Sequence, residues 1–151
     1  MLSAALETGC ISLDAGGSAT IAWDAYQTFK LELNENPRNP NYKRHLSRRW
    51  IDLFNSARDA QELAELRDYA AYPDWLTEAH AHYEKPSGED RCLSVNGTAA
   101  DQSPGTLSVR YFVEGESLKA SEIHYQYWES ESELPVKAMC PEDFELAFPA
   151  T

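Results

Sequence analysis

His80-Ala-His82 is the closest pair of histidines in the sequence, with Glu78 and Glu84 beside it. On a helix, side chains two residues apart point about 200° from each other, so one ion could not reach both rings; on a strand they would share a face. The apolar residues around them, Leu76, Ala79 and Tyr83, are spaced as on a helix. The pair therefore predicts a boundary helix with one ring buried and one exposed, not a metal centre. The H-E-x-x-H zinc pattern is absent, and His45 and His124 stand apart from any ligand spacing.

Cys10, Cys92 and Cys140 are odd in number, far apart and free of any C-x-x-C pairing. They predict three reduced thiols, mostly buried, in a reducing cytoplasm. A Cys–His nucleophile would need partners that meet in space, and nothing selects one of the three cysteines. No G-x-S-x-G elbow, Walker A loop or G-x-G-x-x-G is present, and Gly16-Gly17 alone is a turn. No catalytic residue, metal or cofactor is expected. Asn96-Gly97-Thr98 has the glycosylation pattern, but the start of the sequence lacks a basic n-region and a long apolar h-region, so it reads as a turn.

The residues best suited to recognition lie near the end. Tyr125, Tyr127 and Trp128 are followed by Glu129-Ser-Glu131-Ser-Glu133. In an extended segment, residues two apart point the same way, so Glu129, Glu131 and Glu133 would line one face as a negative rim beside the aromatics. Tyrosine and tryptophan supply contact area at low entropic cost, and an acidic rim steers a basic partner.

The charge agrees with that choice. Residues 1–51 carry six basic and five acidic groups, whereas residues 52–151 carry seven basic and twenty acidic. The net charge of −12 argues against nucleic acid as a direct partner and against attraction to an anionic membrane. Arg38, Lys43, Arg44, Arg48 and Arg49 form a stretch without carboxylates, expected as a solvated helix face paired with acidic neighbours. No apolar run approaches the roughly 18 residues of a membrane helix.

These residues must be positioned by one domain, since 151 residues suffice for a single core and no linker divides them. Residues 9–18 read as a brief strand or extended arm. Ser18 would cap a first helix with Ala22, Tyr26, Phe29 and Leu33 on one face. A second helix is expected over 41–55, with Tyr42, Leu46, Trp50 and Leu53 in phase and Phe54 beside them. A third begins near Ser56 or Asp59 and carries Leu63 and Leu66, and a fourth runs over 73–84 from Pro73. From residue 91 the period changes to 2: short strands at 92–95, around 107–113 and at 123–127, a candidate at 134–139, and a tail, 141–148, favoured as a strand. A polar loop fills 96–105. The fold class is α+β, about four N-terminal helices packed on a C-terminal antiparallel β-meander of three to five strands. Trp50, Leu53, Leu63, Leu66 and Leu76 should meet Val109, Tyr111 and Ile123 in the core.

In size, acidity and lack of a catalytic motif, the chain is similar to toxin-neutralising immunity proteins and phage-encoded inhibitors of host defence. That similarity is one of type and composition and transfers no site. The sequence supports two functional classes. One is stoichiometric binding, with inhibition the favoured role, to a protein with a basic surface such as a nucleic-acid-binding protein or nuclease, including by mimicry of a phosphate backbone. The other is a small enzyme or ligand-binding domain with an apolar pocket between helices and curved sheet.

Overall fold

The computed structural model describes residues 21–147, with side chains as far as Phe144. Four helices lead: α1 (Ile21–Glu35), α2 (Tyr42–His45), α3 (Arg48–Asn55) and α4 (Ala60–Ala70). A 3-10 turn, Tyr72–Asp74, passes the chain to β1 (Leu76–Ser87), β2 (Asp90–Ala99), β3 (Pro104–Glu114) and β4 (Ser117–Tyr127). A second 3-10 turn, Glu131–Glu133, precedes α5 (Pro141–Ala147). The strands form one sheet in the order β1-β2-β3-β4, every neighbour antiparallel. The α+β architecture expected from the change of period is present. The arm at 9–18, Ser18 and Cys10 lie outside the described residues.

α1 buries Ala22, Tyr26, Phe29 and Leu33, the stripe its spacing predicts. Its first amides are satisfied from a distance: Glu84 of β1 accepts from Ala22 N (3.2 Å) and Trp23 N (3.0 Å). Arg91 Nε donates to the same carboxylate at 2.9 Å.

The expected helix over 41–55 is broken at Leu46-Ser47. Ser47 N donates to Ala120 O of β4 at 2.9 Å, and Leu46 forms an isolated parallel bridge with Ala120. A sheet partner thus replaces the helical one, and the chain turns before α3 starts. The new phase places Trp50 and Phe54 inside and leaves Leu53 38% exposed, correcting its assignment to the core. α4 is capped by Asp59, the later of its two expected starts, rather than by Ser56; Asp59 accepts from Glu62 N at 2.8 Å, and Leu63 and Leu66 are half-buried.

The expected helix at 73–84 is strand β1 instead. Its residues pair with β2 from Leu76↔Ala99 to Ser87↔Asp90, closing a two-residue hairpin in which Gly88 adopts φ +64°. Register shifts between Leu76 and Glu78 and between Ala79 and Ala81 break the period of two, which hid the strand in the sequence. Pro86 is tolerated because β1 is an edge strand. The polar loop expected at 96–105 shrinks to 100–103, since β2 runs on to Ala99.

The sheet is covered on both sides. Leu93, Val95, Leu107, Val109, Tyr111 and Ile123 face the helices, packing with Phe29, Trp50 and Tyr72. The opposite face carries small polar residues, Ser94, Asn96, Thr106 and Ser108, all buried. The segment at 134–139, a strand candidate by sequence, crosses this face as an unpaired strap. Its carbonyls accept from side chains: Asn96 Nδ2 to Pro135 O (2.7 Å), Ser94 Oγ to Lys137 O (3.3 Å), Ser108 Oγ to Met139 O (2.8 Å). Asn96 is therefore a buried strand residue and not part of a turn. Beyond the strap the chain is helical rather than the favoured strand, because Asp143 Oδ2 turns back to accept from Cys140 N at 2.8 Å. Cys92 and Cys140 are joined as a disulfide. This corrects the expectation of reduced thiols at Cys92 and Cys140. Among the described residues, no helix is long and apolar enough to cross a membrane.

Candidate functional site

α4, the first 3-10 turn and β4 enclose an open groove of about 670 Å³. The last two turns of α4 contribute Glu65, Asp68 and Tyr69, whose spacing of three and four brings them to one side of the helix. The 3-10 turn supplies Asp74, with Trp75 directly after it. Tyr125 and Tyr127, two apart on β4, enter from the sheet.

The rings meet at steep angles. Trp75 lies 5.0 Å from Tyr125 and 5.2 Å from Tyr127 between centroids, at 67° and 76°. Tyr69 stands edge-on to Tyr125 at 4.9 Å. Trp75 Nε1 donates to Tyr127 Oη at 3.3 Å, the Tyr125 hydroxyl donates to the Tyr69 carbonyl, and the Tyr69 hydroxyl donates to Ile123 O at 3.2 Å. The polar ends are thus occupied, and aromatic surface remains for a ligand. Tyr69 is 46% exposed and Tyr127 51% exposed. Burial raises the pKa of the Tyr69 and Tyr125 hydroxyls, keeping both protonated at neutral pH.

Glu65, Asp68 and Asp74 form the rim. Among the described residues, no lysine, arginine or histidine forms an ion pair with any of them. Several carboxylates elsewhere are paired: Arg44 with Glu32 (3.6 Å), Arg48 with Asp52 (3.1 Å), Arg58 with Glu62 (3.3 Å) and Lys85 with Asp143 (3.2 Å). Arg110 meets Asp90, Glu122 and Glu142 together. Arg44 and Arg48, from the basic stretch, are therefore paired within the fold.

Of the six residues expected to form the binding surface, the structure brings Tyr125 and Tyr127 into this groove. Trp128 points through the opposite face, where its Nε1 donates to Thr106 Oγ1 at 2.9 Å beside the Phe144 ring. Glu129, Glu131 and Glu133 do not form an extended row. The 3-10 turn folds Glu133 back, so that its Oε1 accepts from Glu129 N (2.8 Å) and Ser130 N (3.0 Å). A capping box has replaced the expected carboxylate face.

Trp75, Tyr69, Glu65, Asp68 and Asp74 were not singled out by sequence reasoning. Their signal was the recurrence of carboxylate and aromatic in Asp68-Tyr69 and Asp74-Trp75. Reading 73–84 as a helix concealed it, because Trp75 then belonged to another element.

His80 and His82 lie on β1 rather than a helix, and both are exposed. His82 stacks on Trp23 at 3.8 Å, while His80 Nε2 lies 2.9 Å from Thr98 Oγ1. Among the described residues, no group of three or more histidine, cysteine or acidic side chains is arranged to hold a metal ion.

No family model matches the sequence, and no curated protein matches it. Among solved structures, the chain is similar to the solution NMR structure of a de novo designed β-sheet protein. The likeness has a TM-score of 0.39 and 15% identity over 74% of this chain and 92% of that one. It is too loose to bear on what this chain binds.

Proposed function

We propose that the protein acts by stoichiometric binding to another protein with a basic surface, as an inhibitor of the immunity-protein or anti-defence type. The observation that carries this reading is the aromatic groove whose rim holds three carboxylates without a cationic partner among the described residues. Exposed aromatics provide the anchor, and uncompensated acidic groups provide attraction and orientation. The charge distribution supports it, since twenty of the 25 acidic residues lie in 52–151. A partner surface built for nucleic-acid phosphates would meet these demands.

The test is affinity capture from the native source at low salt, followed by measurement of stoichiometry and of the partner's basic surface. Recovery of a one-to-one complex that weakens steeply with salt is expected. Capture of no stoichiometric partner would sink the proposal. Two variant sets locate the surface: Asp68→Asn with Asp74→Asn in the groove, and reversal of Glu129, Glu131 and Glu133 to lysine at the 3-10 turn.

A ligand-binding reading has one observation of its own, the groove volume of about 670 Å³, which lies within the range of small-molecule pockets. It predicts that an uncharged aromatic compound raises the melting temperature of the wild type but not of Tyr127→Ala.

A further inference from the structure

We infer that the groove receives an arginine side chain of the partner, held against Trp75 and Tyr127 and ringed by Glu65, Asp68 and Asp74. The inference rests on the protein-binding reading above and adds the chemistry of the group recognised.

Three observations lead to it. The first is the shape of the aromatic wall. Trp75 and Tyr127 meet at 76°, so a group seated in their corner contacts the electron-rich face of one ring while it lies beside the other. A flat, delocalised cation suits this corner better than a compact ammonium, because guanidinium is weakly hydrated and stacks on rings. The second is the rim. Its carboxylates come from two elements, Glu65 and Asp68 from α4 and Asp74 from the 3-10 turn. A guanidinium carries five N–H donors in a fixed plane and can address several carboxylates at once, whereas a trimethylated ammonium cannot donate to them. A neutral ligand would leave their charge uncompensated. The third is internal precedent: on the same helix α4, the Arg67 guanidinium lies 5.9 Å from the Tyr42 ring and 6.0 Å from the Phe54 ring.

The wall is already built. Trp75 and Tyr125 are held by hydrogen bonds and ring contacts within the fold, so docking an arginine requires little ordering of the receiving side. The Tyr69 and Tyr127 rings remain exposed enough to be reached.

The test is a titration of the isotope-labelled protein with three capped peptides, acetyl-Gly-Arg-Gly-amide and its lysine and citrulline counterparts, followed by NMR. Citrulline keeps the shape of arginine and removes its charge. The arginine peptide should move the Trp75 indole N–H signal saturably. Lysine should bind at least about threefold more weakly, and citrulline should show no saturation. Asp68→Asn combined with Asp74→Asn should weaken the arginine peptide by about fivefold or more, with a native spectrum retained. Tyr127→Ala, at an exposed ring, should do the same by removing one wall. Equal binding of arginine and lysine, or binding without movement of the Trp75 signal, would overturn the inference.

Capture of the partner is run on the same variants, so the two proposals fail separately. If groove variants lose the partner but no arginine preference exists, the arginine assignment falls and protein binding stands. If the peptide saturates the groove but no stoichiometric partner is recovered, protein binding falls and the cation chemistry of the groove remains.

Discussion

Gly105 makes room for Trp75: a β-carbon at residue 105 would sit 2.7 Å from Cη2 of the indole and 3.2 Å from Cζ3. The ring that forms the floor of the groove therefore lies against the bare backbone of β3, beside Tyr125 and Tyr127 on β4. Gly105→Ala should displace the indole. A loss of about 1–3 kcal/mol is expected from such overpacking. Urea denaturation checks the loss, and weakened binding in the groove should accompany it. An unchanged midpoint would show that Trp75 is not seated there.

Glu84 and Arg91 form a nearly buried ion pair, their side chains 5% and 11% exposed, and the carboxylate also holds the first amides of α1. Glu84→Gln removes a carboxylate charge paired with Arg91 and weakens the cap. A cost of about 3–5 kcal/mol is expected, as for other buried pairs broken on one side. Hydrogen exchange at Ala22 and Trp23 should rise more than at the end of α1. Protection that stays uniform along α1 would count against this cap.

His45 and Glu32 predict an acid-sensitive step. Burial lowers the pKa of the His45 imidazole from 6.5, outweighing the nearby Glu32 carboxylate, and Arg44 and Lys119 push the same way. The neutral ring lies with its Nε2 2.6 Å from Glu32 Oε1. Glu32 is also lowered, since hydrogen bonds from His45 and the Asn41 amide outweigh its burial. A folded pKa below the unfolded one means the unfolded chain binds more protons in the window between them. The His45 contribution is thus complete above about pH 6.5 and is lost as pH falls below it. The melting temperature should decline across that range in the wild type and less steeply in His45→Gln. Parallel slopes would remove His45 as the cause. The Glu32 contribution is lost at lower pH, below its ordinary 4.5.

Cys92 and Cys140 close a chain of 48 residues in sequence separation and anchor the strap to the polar face of β2 and β3. Loop-closure entropy for that length gives about 4 kcal/mol. Paired Cys92→Ser and Cys140→Ser substitutions should lower stability by about 2–4 kcal/mol. Alkylation of the urea-denatured protein without reductant should leave both cysteines unmodified, where buried but reduced thiols would become exposed and react. Labelling of either would disprove the bond.

The helical stripe of α1, the Asp59 cap and the alternation of Leu107, Val109 and Tyr111 were legible because each depends on neighbours in sequence: a 3.6-residue period, a side chain reaching its own helix, a period of two. The groove was legible only in part. Tyr125 and Tyr127 were found because alternation puts them on one side of one strand. Trp75 and the Asp68–Asp74 rim were not, because they come from elements whose juxtaposition the sequence does not express.

What the sequence by itself determined is the α+β order, the site of the acidic excess and the core stripe of the first helix, all set by local periodicity and composition. Tertiary structure alone decided the rest. The backbone of Leu46-Ser47 left its helix because Ala120 offered a sheet partner, and residues 76–87 became a strand because β2 offered an edge. Cys92 met Cys140 because the strap crosses the sheet. In each case a long-range backbone or covalent bond outweighed a local preference worth less than about 1 kcal/mol per residue, and no reading of neighbours could have shown which partner would arrive.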